Sequence, residues 1–149
     1  MPNAPTVTLR EITRETVRDI MRLDVAEHQK EFVAPNSVSI AQAHFQPKAW
    51  FRAVYADDDP VGFVMVYVDT EKPEYFLWRF MIAADHQGKG YGRAALEQVI
   101  EHVRTLPNAT ELVTSYVPGE GSPGDFYLLL GFVDNGHIEH GEHVTVLEF

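Results

Sequence analysis

The stretch DHQGKGYGRAAL, residues Asp85–Leu96, decides the fold. It places three glycines at alternate positions around Lys89 and Arg93, directly before a segment with helical spacing. Backbone N–H groups at the start of a helix have no partner inside the helix and attract anions, and glycine lets a ligand approach the backbone closely. The stretch therefore predicts a loop that binds the phosphates of a ligand. The alternative is a turn that only joins a strand to a helix.

Two common phosphate-binding motifs do not match this loop. The sequence lacks the Gly-x-x-x-x-Gly-Lys-Ser/Thr pattern of the P-loop. The spacing of Gly88, Gly90 and Gly92 also differs from the Gly-x-Gly-x-x-Gly pattern of dinucleotide-binding folds. The loop is therefore expected to hold another kind of phosphate-bearing ligand.

The segments on either side of the loop predict a central strand and a long amphipathic helix. Glu74–Ile82 (EYFLWRFMI) is almost continuously apolar, which is typical of a strand that is buried on both faces. After Gly92, apolar residues repeat at spacings of three and four until Pro107 ends the helix. These apolar residues are Ala95, Leu96, Val99, Ile100, Val103 and Leu106.

The rest of the chain predicts further strands and short helices. Helical spacing indicates a helix over Thr13–Ala26, a second that starts from a capping box of Ser39 with Gln42, and a third over Ser122–Leu130. The order of elements predicts one α/β (α+β) domain over residues 1–149, with a mixed, largely antiparallel central sheet flanked by helices. The other predicted strands are Val7–Ile12, Trp50–Ala56, Val61–Val68, Thr110–Val117, the GFVD segment at 131–134 and His143–Phe149.

Composition narrows the class of partner. The 149 residues carry a formal net charge of −10, which disfavours nucleic acid and anionic lipid and favours cationic small molecules. The alternative reading is that the acidity only improves solubility. The sequence contains no cysteine, no apolar segment of a secretory signal at its start and no apolar run near the length of a membrane span. We therefore expect a cytoplasmic protein that binds neither nucleic acid nor membrane.

Several acidic residues are candidates for binding a cationic substrate. Asp24, Glu27 and Glu31 follow one another at helical spacings of three and four, so they are expected to share one helix face. Glu74 is a fourth candidate, because period two places it on the same strand face as Trp78. The alternative is a helix face that is simply solvated.

The histidines near the end of the chain do not predict a metal site. His137, His140 and His143 are spaced by three around an expected Asn135–Gly136 turn, without the paired short motif of a zinc site. They are expected to be ordinary exposed histidines, and no metal is expected.

Three motifs resemble the GNAT acetyltransferases. QGKGYG, residues 87–92, matches that family's Gln/Arg-x-x-Gly-x-Gly/Ala signature, and WRFMI (Trp78–Ile82) resembles the strand before it. FYLLLGF (Phe126–Phe132) is similar to the family's Tyr-x-x-x-Gly-Phe ending. Within the family, the chain most resembles the diamine and polyamine (spermine/spermidine) acetyltransferases. The resemblance implies the GNAT fold, acetyl-CoA as cosubstrate and a small-molecule amine as acceptor, and it leaves a homodimer open.

The same resemblance implies how the chain holds acetyl-CoA. Backbone groups of Phe80, Met81 and Ile82 would pair with the pantetheine arm like a neighbouring strand. The amides of the glycine loop would surround the pyrophosphate, and Arg93 would lie at its edge. The loop residues implied in this role are Gln87, Gly88, Lys89, Gly90, Tyr91 and Gly92.

The resemblance also implies direct acyl transfer within a ternary complex. A backbone N–H near Met81 would stabilise the oxyanion. Tyr127 would be the general acid that protonates the leaving sulfur; the alternative is a tyrosine that only packs in an apolar helix. The acceptor amine must first lose a proton, which costs roughly 4–5 kcal/mol at pH 7 for a pKa of about 10.4.

Two positions depart from the family pattern: the one expected to hold the base that accepts this proton, and the one expected to contact the cofactor. Many relatives carry an acidic residue on the central strand where this chain has Trp78, so the base is unassigned. The candidates for the base are Glu74, about 13 Å further along the same strand face as Trp78, and Glu27, His28 and Glu31 in the N-terminal helical region. Relatives often place an asparagine seven residues before the tyrosine, where this chain has Glu120, and no cofactor role is carried to that residue.

We therefore expect an N-acetyltransferase that transfers an acetyl group from acetyl-CoA to a primary amine of a small cationic substrate, with polyamines and diamines as the leading class. Two alternatives stay open. One is an acetyltransferase for another amine, such as an aminoglycoside, an amino acid or a protein N-terminus. The other is a non-catalytic acyl-CoA-binding module, which the tryptophan at position 78 favours.

Overall fold

A computed structural model describes residues 4–149. Four α-helices are present in this range: α1 (Val17–Arg22), α2 (Asn36–Phe45), α3 (Tyr91–Arg104) and α4 (Gly124–Leu129). Single 3-10 turns cover Glu27–Gln29 and Ala84–His86. The strands are β1 (Val7–Arg10), β2 (Ala49–Ala56), β3 (Asp59–Asp69), β4 (Glu74–Ile82), β5 (Glu111–Tyr116), β6 (Val133–Glu139) and β7 (Glu142–Glu148).

All seven strands belong to one sheet with the order β1-β2-β3-β4-β5-β7-β6. Neighbouring strands are antiparallel except β4 and β5, which run parallel because α3 connects them. Parallel neighbours need such a crossover, whereas a tight turn suffices for the β2–β3 hairpin. The predicted class, a largely antiparallel sheet flanked by helices, is confirmed, and so is the predicted order of elements.

Helices cover both faces of the sheet, and the interior strand β3 contributes side chains to both cores. Side chains of β3 alternate between the faces: Val64 and Val66 pack toward α3 and α4, while Phe63 and Met65 pack toward α1 and α2. All four side chains are fully buried. This double burial explains why the central strands are apolar at nearly every position.

Helix α3 has the amphipathic pattern that its sequence predicts. Its buried residues are Ala95, Leu96, Val99, Ile100 and Val103. Most of them join the core between the helix and the sheet. This packing fixes the start of α3 at the carboxyl end of β4, where the glycine loop lies.

The N-terminal helices are shorter than predicted. The pattern predicts a helix over Thr13–Ala26, but α1 ends at Arg22 and Leu23 is extended. The buried side chain of Asn36 explains this end: its Nδ2 donates to the carbonyl oxygen of Ile20 at 2.9 Å. That carbonyl would accept from the backbone N–H of Asp24 if the helix continued. The expected helix face of carboxylates is therefore wrong.

The capping box at Ser39 is also wrong. Helix α2 begins at Asn36, and Pro35 takes the N-cap position. Ser39 lies inside the first turn, is fully buried, and its Oγ donates to the Pro35 carbonyl at 3.5 Å. The helix predicted to start at Ser122 is closer to the structure, because the Ser122 Oγ accepts a hydrogen bond from the N–H of Gly124 at the start of α4.

The last hairpin turns later than predicted. The turn between β6 and β7 lies at His140 and Gly141, whose φ angles of 52° and 80° suit a two-residue hairpin loop. The expected turn at Asn135 is instead an irregularity within β6, where the pairing register shifts between Asp134 and Ile138. The strand predicted at residues 131–134 therefore continues to Glu139.

Two features are absent from the described part of the chain. Within residues 4–149, no helix is long and apolar enough to cross a membrane. Within the same range, no group of three or more histidine, aspartate or glutamate side chains could hold a metal ion.

Gly62 allows β3 and β4 to approach closely, and we expect its replacement to destabilise the fold. A Cβ on Gly62 would clash with the Met81 carbonyl oxygen and lie 2.8 Å from Cδ1 of Ile82. Gly62→Ala is expected to lower the free energy of unfolding by about 2 kcal/mol, measured by urea denaturation. Gly92→Ala is the control, since a Cβ there meets its nearest atoms at an ordinary 3.5 Å. Equal stability of the two variants would contradict the steric argument.

Candidate active site

A cleft opens where β4 and β5 separate. The two strands pair only through Phe76 with Val113 and Leu77 with Thr114. Beyond these pairs both strands continue without a partner between them, and the gap widens into a cleft of about 980 Å³. Backbone groups along the two inner edges are therefore available to a ligand that enters between the strands, except the Ile82 carbonyl, to which Gln87 donates.

A β-bulge at Trp78 bends β4 away from β5. Val66 of β3 pairs with Leu77 and Met65 pairs with Arg79, so Trp78 is an extra residue in the strand. A bulge of this kind bends the strand and increases its twist. Trp78 packs on the α1–α2 face of the sheet, and Arg79 reaches Gln42 of α2 on the same face, with 3.2 Å between Nη2 and Oε1.

The glycine loop forms one end of the cleft and presents unpaired amides. The backbone N–H groups of residues 88–93 donate no hydrogen bond to any protein atom in residues 4–149. Gly90 has a φ of 82°, which is unfavourable for other residues, and no atom lies within 4 Å of the position that its Cβ would take. Free N–H groups at the start of a helix, here the 14-residue α3, attract anions.

Gln87 connects the loop to the rest of the site through its side chain. Its Nε2 donates to the Ile82 carbonyl and to Oε1 of Gln29, both at 2.8 Å. The amide of Gln29 donates back to Oε1 of Gln87 at 3.2 Å. The glutamine thus ties the loop to the end of β4 and to the segment between α1 and α2.

Only alternate residues of β4 direct their backbone groups into the cleft. The N–H of Ala83 donates to Val61 of β3, and the Met81 carbonyl lies against Gly62 of the same strand. Because these groups alternate along a strand, the backbone groups of Phe80 and Ile82 face the cleft and those of Met81 face β3. The structure therefore directs the Met81 N–H away from the cleft, where the oxyanion donor was expected. The backbone groups of Phe80 and the N–H of Ile82 are the accessible ones, because the Ile82 carbonyl already accepts from Gln87.

Tyr127 lies on α4 at the inner end of the cleft. It is 5% exposed and packs against Phe126 and Phe132. Burial raises the pKa of Tyr127 well above its usual value, and the nearby Thr114 side chain opposes part of this increase. The phenol is therefore protonated at neutral pH and can donate a proton to a group in the cleft.

Two loops meet over the cleft on its α1–α2 side. A Cβ on Gly119 would contact the Phe32 ring at 3.6 Å, and one on Gly121 would lie 2.9 Å from Cδ2 of His28. The segment between α1 and α2 and the loop before α4 are therefore in contact. Both segments also line the cleft.

The structure brings most of the predicted site residues to this cleft. Lys89 belongs to the glycine loop but does not line the cleft. The predicted residues that do line it are Glu31, Phe80, Met81, Ile82, Gln87, Gly88, Gly90, Tyr91, Gly92, Arg93 and Tyr127.

The structure places three predicted acidic residues elsewhere. Asp24 and Glu27 both pair with Lys30, whose Nζ lies 3.3 Å and 2.9 Å from their carboxylate oxygens. Asp24 lines a separate small cavity of about 170 Å³ beside Met81. Glu74 is exposed at the opposite end of β4 and does not line the cleft.

Three charged residues that line the cleft, Lys30, Arg79 and Glu142, escaped the sequence analysis. The Arg79 side chain is half-buried, and its Nε is buried without a hydrogen-bond partner in residues 4–149. Burial lowers the pKa of Arg79, and the charge of Glu142 opposes this shift. Glu142 lies at the start of β7 and accepts a hydrogen bond from Ser115 at 3.3 Å. Arg79 lies within the WRFMI motif, but that motif gives its side chain no role. Glu142 stands in no recognisable motif, because pairing of the distant strands β5 and β7 brings it to the cleft.

Curated proteins and solved structures resemble the chain over nearly its whole length. A spermine/spermidine N(1)-acetyltransferase of Bacillus subtilis is 26% identical, with 95% of this chain and 98% of that protein covered. A spermidine N-acetyltransferase (SpeG) variant of Vibrio cholerae has a TM-score of 0.70 at 19% identity, covering 95% and 93%. The PaiA N-acetyltransferase of Thermoplasma acidophilum, solved with coenzyme A, has a TM-score of 0.68 at 14% identity, covering 97% and 99%.

A family model gives the assignment. The model of the Acetyltransferase (GNAT) family matches residues 14–132, which include the glycine loop, the separated strands and Tyr127. The match covers most of the chain and agrees with the sheet order and the cleft described above. The chain therefore belongs to the GNAT family of acetyltransferases.

Proposed function

We propose that this protein transfers the acetyl group of acetyl-CoA to a primary amine of a small cationic substrate, and that polyamines or diamines are the preferred class. The single observation that supports this most is the row of free amides at residues 88–93, at one end of a cleft between two unpaired strand edges. A diphosphate and an extended amide-bearing arm are the ligand chemistry that these two features suit.

The residues present fit acetyl-CoA. The loop amides would hold the pyrophosphate, and the backbone groups of Phe80 and the N–H of Ile82 would hydrogen-bond the amides of the pantetheine arm. The rings of Phe80 and Phe126, stacked with their centroids 6.0 Å apart, would flank that arm with apolar surface. The bound cosubstrate supplies an activated thioester. The family relative PaiA, whose structure contains coenzyme A, has the same fold.

The residues of the chain favour direct transfer to the amine in a ternary complex. The sequence contains no cysteine, so no thiol of the protein is available to carry the acetyl group. Tyr127 would donate its proton to the departing sulfur, since burial keeps the phenol protonated. An N–H group of Phe80 or Ile82 would stabilise negative charge on the carbonyl oxygen.

A polyamine or diamine acceptor is supported by charge and by the curated relatives. The chain carries a net charge of −10, which attracts polycations at low salt. The B. subtilis relative is named for spermine and spermidine. Within the cleft, however, the available carboxylates are Glu31 and Glu142, because Lys30 already pairs with Asp24 and Glu27.

Arg79 favours a second class of acceptor. Its guanidinium is half-buried at the cleft, and no carboxylate within residues 4–149 lies within 4.0 Å of it. A half-buried cation of this kind is stabilised by an anion. An amine that also carries a carboxylate, such as an amino acid, is therefore the second candidate.

A thiol-release assay tests the proposal. Purified protein is incubated with acetyl-CoA and a panel that contains spermidine, putrescine, an amino acid and the corresponding amino acid amide. Release of free thiol that is highest with spermidine or putrescine is expected. Higher rates with the amino acid than with its amide would instead favour the second class of acceptor, an amine whose carboxylate binds Arg79. Binding of CoA by calorimetry without turnover on any amine would support a non-catalytic module.

A further inference from the structure

The cleft contains two carboxylates, and they differ in how the protein holds them. Glu31 is exposed on the segment between α1 and α2. Glu142 is half-buried at the start of β7, and Ser115 of β5 donates to its Oε1 at 3.3 Å. Glu142 is therefore the carboxylate whose position the sheet determines.

Sheet geometry places Glu142 on the α1–α2 face of the sheet. Ser115 pairs with Val144, and by period two Glu142 shares the face of Val144 and Ser115. The adjacent β5 residue Thr114 points to the opposite face, the face of Tyr127 and α4. Glu142 and Tyr127 therefore approach the cleft from opposite faces of the sheet.

The bulge residues lie on the same face as Glu142. Trp78 packs on the α1–α2 face, and Arg79 bonds with Gln42 of α2 there. The charge of Glu142 also acts on the Arg79 guanidinium across the separated strands. Glu142 thus shares the part of the cleft that Trp78 and Arg79 line.

We propose that Glu142, held by Ser115, is the proton acceptor for the substrate amine. This inference rests on the proposed function and names the base that Trp78 cannot supply. Glu142 and Tyr127 then form a base and an acid on opposite faces of the opening between β4 and β5.

The proton balance of this role is simple. The bound ammonium transfers one proton to the Glu142 carboxylate, directly or through one water, and the nitrogen lone pair becomes free to attack the acetyl carbonyl. As the new C–N bond forms and the C–S bond breaks, Tyr127 gives its proton to sulfur. The second proton lost by the nitrogen restores the phenol, and the carboxylic acid of Glu142 releases its proton to water. The products are one amide, one thiol and one proton.

Several charged or titratable groups surround Glu142. From β4, Arg79 contributes a positive charge, and from the α1–α2 segment Lys30 and Glu31 also line the cleft. From β6, Glu139 is the cross-strand partner of Glu142. The neighbours on β5 and β7 are Tyr116 and His143.

A pH series on Glu142→Gln tests the proposal. We expect kcat/KM for the best amine to fall about 30-fold at pH 7, below the usual range for loss of a general base because water still accepts protons. The loss is expected to shrink to about threefold by pH 9.5, since more of an amine with a pKa near 10.4 is then already neutral. CoA affinity, measured by calorimetry, is expected to stay within about twofold of wild type.

Matched variants separate this role from a structural one. Glu139→Gln removes the cross-strand partner, which is exposed and does not line the cleft, and is expected to leave the profile unchanged. Glu142→Asp keeps the carboxylate and is expected to recover part of the loss at pH 7. A loss in Glu142→Gln that is the same at every pH, or no loss at all, would overturn the proposal. A pH-dependent loss in Glu31→Gln alone would assign the base to Glu31.

The outcome is distinguishable from failure of the proposed function. If the wild-type protein releases no thiol with any amine, the proposed function fails and Glu142 has no substrate to deprotonate. If the wild type is active and Glu142→Gln behaves like Glu139→Gln, only the inference about Glu142 fails.

Discussion

Replacing Tyr127 by phenylalanine is expected to lower kcat for thiol release about 1,000-fold, within the range typical of a lost general acid. The phenyl ring keeps its contacts with Phe126 and Phe132, so the fold and CoA affinity are expected to change little. The physical reason is that the departing thiolate loses its proton donor. Steady-state kinetics with saturating acetyl-CoA and the best amine of the panel measure the effect.

The control for this change is another buried tyrosine. Tyr75 is 3% exposed, donates to the Pro107 carbonyl and does not line the cleft, so Tyr75→Phe is expected to retain activity. The raised pKa of Tyr127 adds a second criterion. A general acid works only while protonated, so the wild-type rate is not expected to decline between pH 8 and 10 through ionisation of this phenol. Near-wild-type kcat in Tyr127→Phe would show that the phenol is a packing residue.

Replacing Gly90 by aspartate is expected to weaken CoA binding about 100-fold. The new carboxylate would lie beside the pyrophosphate, and two like charges about 5 Å apart repel by roughly 3 kcal/mol at an effective dielectric constant near 20. It could also accept hydrogen bonds from the same free amides that would hold the phosphates. Isothermal titration calorimetry with CoA measures the change directly.

Gly136→Asp is the control that distinguishes a loss of CoA binding from a loss of folding. Gly136 has a φ of 85°, close to the 82° of Gly90, and neither position has an atom within 4 Å of its missing Cβ. Gly136 lies in β6, outside the cleft lining, so Gly136→Asp carries the same backbone strain and charge away from the site. Unchanged CoA affinity in Gly90→Asp, or equal losses in both variants, would contradict the placement of the pyrophosphate at the loop.

The elements that local pattern determines could be predicted from the sequence. The bounds of β4, Glu74–Ile82, match the apolar run, and the buried face of α3 matches the repeat that starts after Gly92. Both patterns are strong because the apolar residues that form them are the residues that the strand and the helix bury. The glycine loop was equally predictable, since its position between a strand and a helix already determines which backbone groups are free.

The features that long-range contacts determine could not be predicted. Asn36, 16 residues from Ile20 in the sequence, ends α1 from outside the helix. The direction of the Met81 backbone depends on its pairing with β3, which no local pattern specifies. Glu142 reaches the cleft only because β7 inserts between β5 and β6. The roles assigned to cleft residues stay predictions until the variants are measured.

The separation of β4 from β5 couples ligand occupancy to protein stability. Two halves of the sheet, β1 to β4 and β5 to β7, meet through only two residue pairs, Phe76 with Val113 and Leu77 with Thr114. A ligand that inserts between them would join both halves by hydrogen bonds and bind the folded state alone. Its contribution grows with the logarithm of its concentration, about 2.7 kcal/mol at 100 times the dissociation constant. The melting temperature of the protein would therefore report the cosubstrate level around it.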